Sequence, residues 1–325
     1  MISTTRVMAA ILAAAVAGCT SLVAVLAPPQ FSLTTGVPGG IYHPVGNAIC
    51  RMFNRSGDHL AQPCVAISSD GSVANIRRIQ GKEATFGLSQ TDMAYAAFHG
   101  QGPFKSAGPA LGLRMLIALY PEAFTVIARA DTGIRDFADL RGKRIGIGMT
   151  GSGYTFTRDV VLGFYGWTIQ DSERVLELGP AEQNHALCDD QVDAIIVEAG
   201  HPDGLTQEAT QGCDARLVRV AGPEIDRLLA THSYYGASVI PGGMYAGNPE
   251  DTATFGTRSV LIASSRLPDD LAYGIVKAVF GSLDEFRRLH PALAPLSPKD
   301  MVPSEAVIPI HPGALRYYRE VGLLR

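Results

Sequence analysis

From Phe31 onward, short runs of β-branched and aromatic residues alternate with stretches whose apolar positions recur every three to four residues. FSLTTG, 31–36, predicts a strand. A helix is expected to open near Pro44, a residue suited to a first turn, with Val45, Ala48, Ile49, Met52 and Phe53 on one face. CVAISSDG, 64–71, predicts a second strand, followed by a helix turning Val73, Ile76 and Ile79 inward. ATFGLSQTD, 84–92, predicts a third, with Asp92 placed to cap the helix beyond it. The pattern then restarts. RGKRIGIGMTGSG, 141–153, gives strand and loop, and Phe156, Val160, Val161 and Phe164 mark a helix. RVLELG and VDAIIVEAGHP supply two further strands, each followed by a helical pattern. Residues 31–98 and 141–211 therefore each predict βαβαβα, the alternation that builds a parallel sheet covered on both faces.

Between these units, Leu113 to Asp131 reads as two adjacent apolar strands separated by Pro121, and Phe255 to Ser265 is another buried strand. Used as crossovers, they let the chain enter a second domain and return. The helical patterns at 268–290 and 312–323 would then pack on the first domain. The expected architecture is α/β and two-lobed, each lobe a parallel-dominated sheet with helices on both faces and a hinge of crossover strands. One lobe takes residues 31–125 plus 257–325, the other 126–256. Ligands of open α/β sheets lie beyond the carboxyl ends of strands, which aims both sets of loops into the cleft.

Charge changes little: 27 basic and 31 acidic residues give a net charge of −4 without a charged block, so nothing points to nucleic acid. The N-terminus changes more. Arg6 precedes an apolar run from Val7 to Ala27 that ends at Pro28 and Pro29, a pattern expected of a secretory signal over 1–27. The run is also long enough to span a bilayer if uncut. Within it, VAGC has the spacing of a lipoprotein box that would leave a lipidated Cys19. The expected location is the periplasm, with an N-terminal membrane anchor if the segment is retained or lipidated. Export would place Cys50, Cys64, Cys188 and Cys213 in an oxidising compartment. Of three pairings, Cys50–Cys64 with Cys188–Cys213 is favoured, because each closes a helix-to-strand segment within one half. No Cys/His spacing suits a metal.

Candidate chemistry lies in the loops. Gly36, Gly39 and Gly40 precede a helix start, where free amides and the helix dipole suit a carboxylate or phosphate. Tyr42 is placed to wall the cleft, or to pack with its hydroxyl in water. SSDGSVANI repeats the device with Ser69 and Ser72 about Gly71, although Ser72 also fits an N-cap. Gln90 stands at a strand tip with a donor and an acceptor. MTGSGYTFT offers Ser152, Gly153, Tyr154 and Thr155 at another helix start. Gly146 to Gly151 matches GxGxxG, with Glu177 as the acid at the next strand end. Its mid-chain position, the equivalent loop in the other half and the exported compartment argue against a dinucleotide. No cofactor is expected. GxSxG and HExxH are absent, so an enzyme is not expected. The alternative is an exported enzyme using Glu198 and His201 as acid and base. These two could also bind an ammonium or orient a ligand.

The blocks TTGVPGGIYHPVGNAI, SSDGSVANI, LSQTDMAYAA, PEAFTVIARAD, DLRGKRIGIGMTGSG and VEAGHPDGLTQEAT follow the order and spacing of the TAXI family, which this chain resembles over nearly the whole of the part that follows the signal segment. These are the extracytoplasmic solute-binding subunits of tripartite TRAP transporters. The resemblance implies a type II periplasmic binding-protein fold and membrane subunits as partners. It further implies a small carboxylated solute such as glutamate, glutamine or 2-oxoglutarate. The chain is expected to act as a monomer. By motif, the ligand contacts carried over are Tyr42, Ser69, Gln90, Ser152 and Thr155, with Gly40 lending backbone; Ser72, Tyr154 and Glu198 join them from the loop reading. Where the family often reads GSGT, this chain has GSGYT, so Tyr154 would narrow the pocket or displace Thr155. Arg77, Arg129 and Arg158 are candidate carboxylate partners.

Overall fold

The computed structural model describes residues 31–57, 63–303 and 306–325; the signal segment and Cys19 lie outside the described residues. The first unit runs β1 (Phe31–Thr34), α1 (Tyr42–Arg55), β2 (Cys64–Ile67), α2 (Ser72–Gln80), β3 (Phe86–Gln90) and α3 (Thr91–His99). Val45, Ala48, Ile49, Met52 and Phe53 form the buried face of α1, as their spacing requires. After β4 (Leu113–Arg129) the second unit repeats the order. It runs β5 (Arg144–Ile147), α4 (Tyr154–Phe164), β6 (Arg174–Glu177), α5 (Pro180–Cys188), β7 (Ala194–Ala199) and α6 (Gly204–Gly212). β8 (Ala215–Val218), α7 (Pro223–Thr231), β9 (Gly236–Ile240) and β10 (Thr252–Ser264) follow. The chain closes with α8 (Asp269–Gly281), α9 (Leu283–Arg288) and α10 (Pro312–Glu320).

The ten strands among the described residues belong to one sheet. Its helix-linked wings are parallel: β1 with β2 and β3, β5 with β6 and β7. Its centre is antiparallel, so the sheet is mixed rather than parallel-dominated. The cause is the two crossovers. β4 pairs with β10 from Leu113 to Ala123 and then with β7 from Ala123 to Ala128. β10 pairs with β9 up to Gly256 and with β3 from Ser259. Where two strands were expected around Pro121, β4 is continuous. Pro121 faces Arg258 beside a register shift of β10, where the ladder does not need its missing N–H.

One core joins α1, α8 and α10 to the β1–β3 side, where Tyr318 donates its hydroxyl to Leu116 O at 2.6 Å. A second, around Phe124, Phe137, Trp167 and Phe255, fills the β5–β7 side. Disulfides join Cys50 to Cys64 and Cys188 to Cys213. The first links α1 to β2; the second links the ends of α5 and α6, since Cys213 sits at the end of α6 rather than on a strand.

Candidate functional site

Three helix starts meet in one cavity of about 190 Å³. Gly39, Gly40, Ile41 and Tyr42 come from the start of α1, Asp70, Gly71 and Ser72 from α2, and Ser152, Gly153 and Tyr154 from α4. The two glycine–hydroxyl turns converge. A Cβ built on Gly71 would stand 3.8 Å from Ser152 Cα, and one on Gly151 would stand 3.6 Å from Asp70 Cβ. A Cβ on Gly153 would overlap Gln90 Oε1, so only glycine permits this approach. Val37, Ile41, Met149, Leu178, Val197 and Leu205 give apolar wall between the polar groups.

The floor is acidic. Glu122, in mid-β4, and Glu198, near the end of β7, are both buried. Tyr42 donates its hydroxyl to Glu122 Oε2 at 3.0 Å. Thr257 stands opposite Glu122 in the β4–β10 register and donates to Glu198 Oε1 through its hydroxyl at 2.6 Å and its amide at 3.2 Å. Burial, then the Glu198 charge, holds the Glu122 carboxyl well above the carboxylate range. Burial, then the charge of Asp92, raises Glu198 to about 8. Asp70 and Asp203 also line the cavity, and no Lys, Arg or His is among its described lining residues.

Behind this floor Asp92 ties the halves together. It is not the N-cap, because Gln90 occupies that position of α3. Its carboxylate instead accepts from its neighbour's amide, Met93 N, and across the molecule from Thr157 Oγ1 at 2.7 Å and Tyr235 OH at 3.2 Å. Burial raises its pKa to about 6. Thr91 Oγ1 donates to Tyr234 O, adding a second link.

Of the residues singled out in sequence, Gly40, Tyr42, Ser72, Gln90, Ser152, Tyr154 and Glu198 line the cavity. Ser69 and Thr155 do not. Ser69 is buried in a bracket: it lies within hydrogen-bonding distance of Thr35 O and Asn75 Oδ1 and accepts from Gly71 N. Thr155 donates to the carbonyl of Ser152. Ser72 is the first residue of α2 rather than its cap, and its hydroxyl accepts from Gln90 N. Gly148, the second glycine of the dinucleotide-like motif, makes room for the Tyr154 ring. His201 does not pair with Glu198. Its Nε2 lies 2.8 Å from Thr125 Oγ1 and its Nδ1 2.6 Å from Tyr245 OH, and burial lowers its pKa to about 4. The arginines are engaged elsewhere: Arg77 with Pro103 O, Arg129 with Asp131 and Asp190, Arg158 with Asp159. Sequence reasoning passed over Glu122, Asp203 and Gln183, which also line the cavity. A larger hollow of about 420 Å³, lined by Tyr234, Tyr235, Arg258 and Lys299, shares Glu122 but gathers none of the three helix starts.

The two βαβαβα units, crossing strands and shared cleft are the architecture of two-lobed periplasmic binding proteins. MatC from Rhodopseudomonas palustris, solved with bound malate, is similar at TM-score 0.56 and 15% identity, over 90% of this chain and 96% of its own. PhnD1 from Prochlorococcus marinus, in complex with methylphosphonate, is similar at TM-score 0.52 and 9% identity, over 91% of this chain and 100% of its own. The chain belongs to the NMT1-like family, whose model matches residues 33–322.

Proposed function

We propose that this protein is the solute-binding subunit of a tripartite TRAP transporter of the TAXI type. In this reading it works outside the cytoplasm, exported by residues 1–27 and anchored, if Cys19 is lipidated, at its N-terminus. It captures a small carboxylated solute of the glutamate, glutamine or 2-oxoglutarate kind and hands it to membrane subunits. The lobes are 31–125 plus 257–325 and 126–256, because β4 and β10 exchange partners at Ala123 and Gly256. The ligand contacts are the Gly40 backbone and Tyr42, Ser72, Gln90, Ser152, Tyr154 and Glu198, while Ser69 and Thr155 support the loops that carry them.

One observation carries this reading: a single cavity takes walls from three helix starts belonging to both halves, and bonds such as Asp92 to Thr157 form only when the halves are together. A ligand that binds this arrangement selects it over an open one, and the closed surface becomes the signal to a membrane partner. The helix-start amides suit the solute's carboxylate. Native mass spectrometry of the protein as purified, followed by thermal unfolding with amino acids and dicarboxylates, tests the reading. A retained solute, or a rise in Tm for specific compounds, is expected; an absence of both would refute it.

A further inference from the structure

Two buried atoms without a hydrogen-bond partner belong to residues that line the cavity, Glu198 Oε2 and Gln183 Oε1; the amide oxygen is an acceptor, and the carboxyl oxygen becomes one when Glu198 ionises. A buried acceptor left unmatched is destabilising, so a guest that donates completes them. Glu198 is at least nine-tenths buried, and Thr257 satisfies only its Oε1. Glu122 stands in register with that same Thr257. Two carboxyls thus flank one threonine in a cavity where no described lining residue is a cation.

We propose that the solute must carry a protonated amine, seated between Glu122 and Glu198, and that dicarboxylates without an amine are rejected. The inference rests on the cleft being the solute site. A dianion would find no cation among the described lining residues and only helix-start amides to balance its second charge, whereas an ammonium supplies the missing donors and pairs with the carboxylate that Glu198 becomes. Seating the amine is coupled to a proton. The groups facing Glu198 are Glu122 from β4, Asp92 from α3, Thr257 from β10, Thr157 from α4 and Tyr235 after α7. None of these is a cation, and burial keeps the Glu198 carboxyl protonated in the empty cleft at neutral pH. The arriving ammonium keeps its own three protons, Glu198 gives up its one, and that proton leaves to the buffer.

The test is titration calorimetry on the mature chain with the twenty amino acids, putrescine, malate and 2-oxoglutarate. At least one amine should bind, and its N-acetyl derivative should bind at least about a hundredfold more weakly. Affinity should climb up to about tenfold per pH unit and level off above about 8, with a heat that varies with the buffer's ionisation enthalpy. Glu198→Gln, which keeps the shape and the Thr257 contact, should remove that pH dependence and weaken binding about thirtyfold or more. Glu122→Gln should also weaken it, and cooperative unfolding of both variants would show that they remain folded. Unchanged affinity in both folded variants, or N-acetyl and free amine binding alike, would overturn the inference. If malate or 2-oxoglutarate saturates the cleft and no amine does, the inference falls and solute capture stands; if nothing in the panel binds, both fall.

Discussion

Gly153 and Asn75 show how single side chains set the site. Gly153 has room only for hydrogen beside Gln90 Oε1, and the two residues come from opposite halves. Gly153→Ala should therefore obstruct closure while leaving each half intact. The expected result is at least about a tenfold loss of affinity for any solute the parent chain binds, with little change in the Tm of the empty chain, read by calorimetry and thermal unfolding. Asn75 is fully buried; its Nδ2 donates to Thr35 O and Leu88 O, and its Oδ1 lies 2.5 Å from Ser69 Oγ. It ties the ends of β1 and β3 to the loop before α2. Asn75→Ala should cost about 2–4 kcal/mol in urea unfolding, because it strands buried carbonyls. The buried acids give a pH signature. An unfolded Glu198 ionises near 4.5 and the folded one near 8, so between these values the folded chain holds the extra proton. Stability should be fully present below about 4.5 and fall as pH rises, by up to about 1.4 kcal/mol per unit from this group alone. Denaturant unfolding of the empty chain at pH 5.5 and 8 checks the slope, and Glu198→Gln should flatten it.

Periodicity exposes elements more readily than sites. The face of α1 and the strands of both units follow from apolar spacing, and turn chemistry marks their ends. The favoured cysteine pairing was equally readable, because each pair closes a short segment within one unit. Glu122 was harder: it sits in a largely apolar 17-residue strand, and its importance comes from Tyr42, 80 positions earlier, and Thr257 on another strand. A lone acid inside so apolar a run was the available signal. Asp92 misled for a similar reason, since its place in a first helical turn suggests a local role while its partners, Thr157 and Tyr235, are remote. Gln183 carries no local mark at all. The cysteine pairs, 14 and 25 residues apart, each restrict the unfolded chain. Cys188→Ser with Cys213→Ser should lose about 3 kcal/mol, measured by denaturant unfolding against the oxidised parent.

At the scale of the molecule, the question is whether the halves move. They are joined by two strands that pass without interruption from one side to the other, and where β10 crosses β4 a Cβ on Gly256 would fall on the carbonyl of Glu122. Bending is thereby confined to a narrow crossing, while the links made by Asp92 and Thr91 are free to break. Small-angle scattering should show a smaller radius of gyration with bound solute than without, and Asp92→Ala should shift the empty chain further toward the expanded form. Equal radii in all three samples would argue against hinged closure.

The place of β10 also governs how the polypeptide can be made. It lies between β3 and β4, yet it follows β3 by about 160 residues, and Tyr318 near the C-terminus reaches back to Leu116. A nascent chain halted on the ribosome at residue 250 lacks the strand that joins β3 to β4 and the helices of the C-terminal segment. Such an intermediate should remain open to protease until the final quarter of the message has been translated.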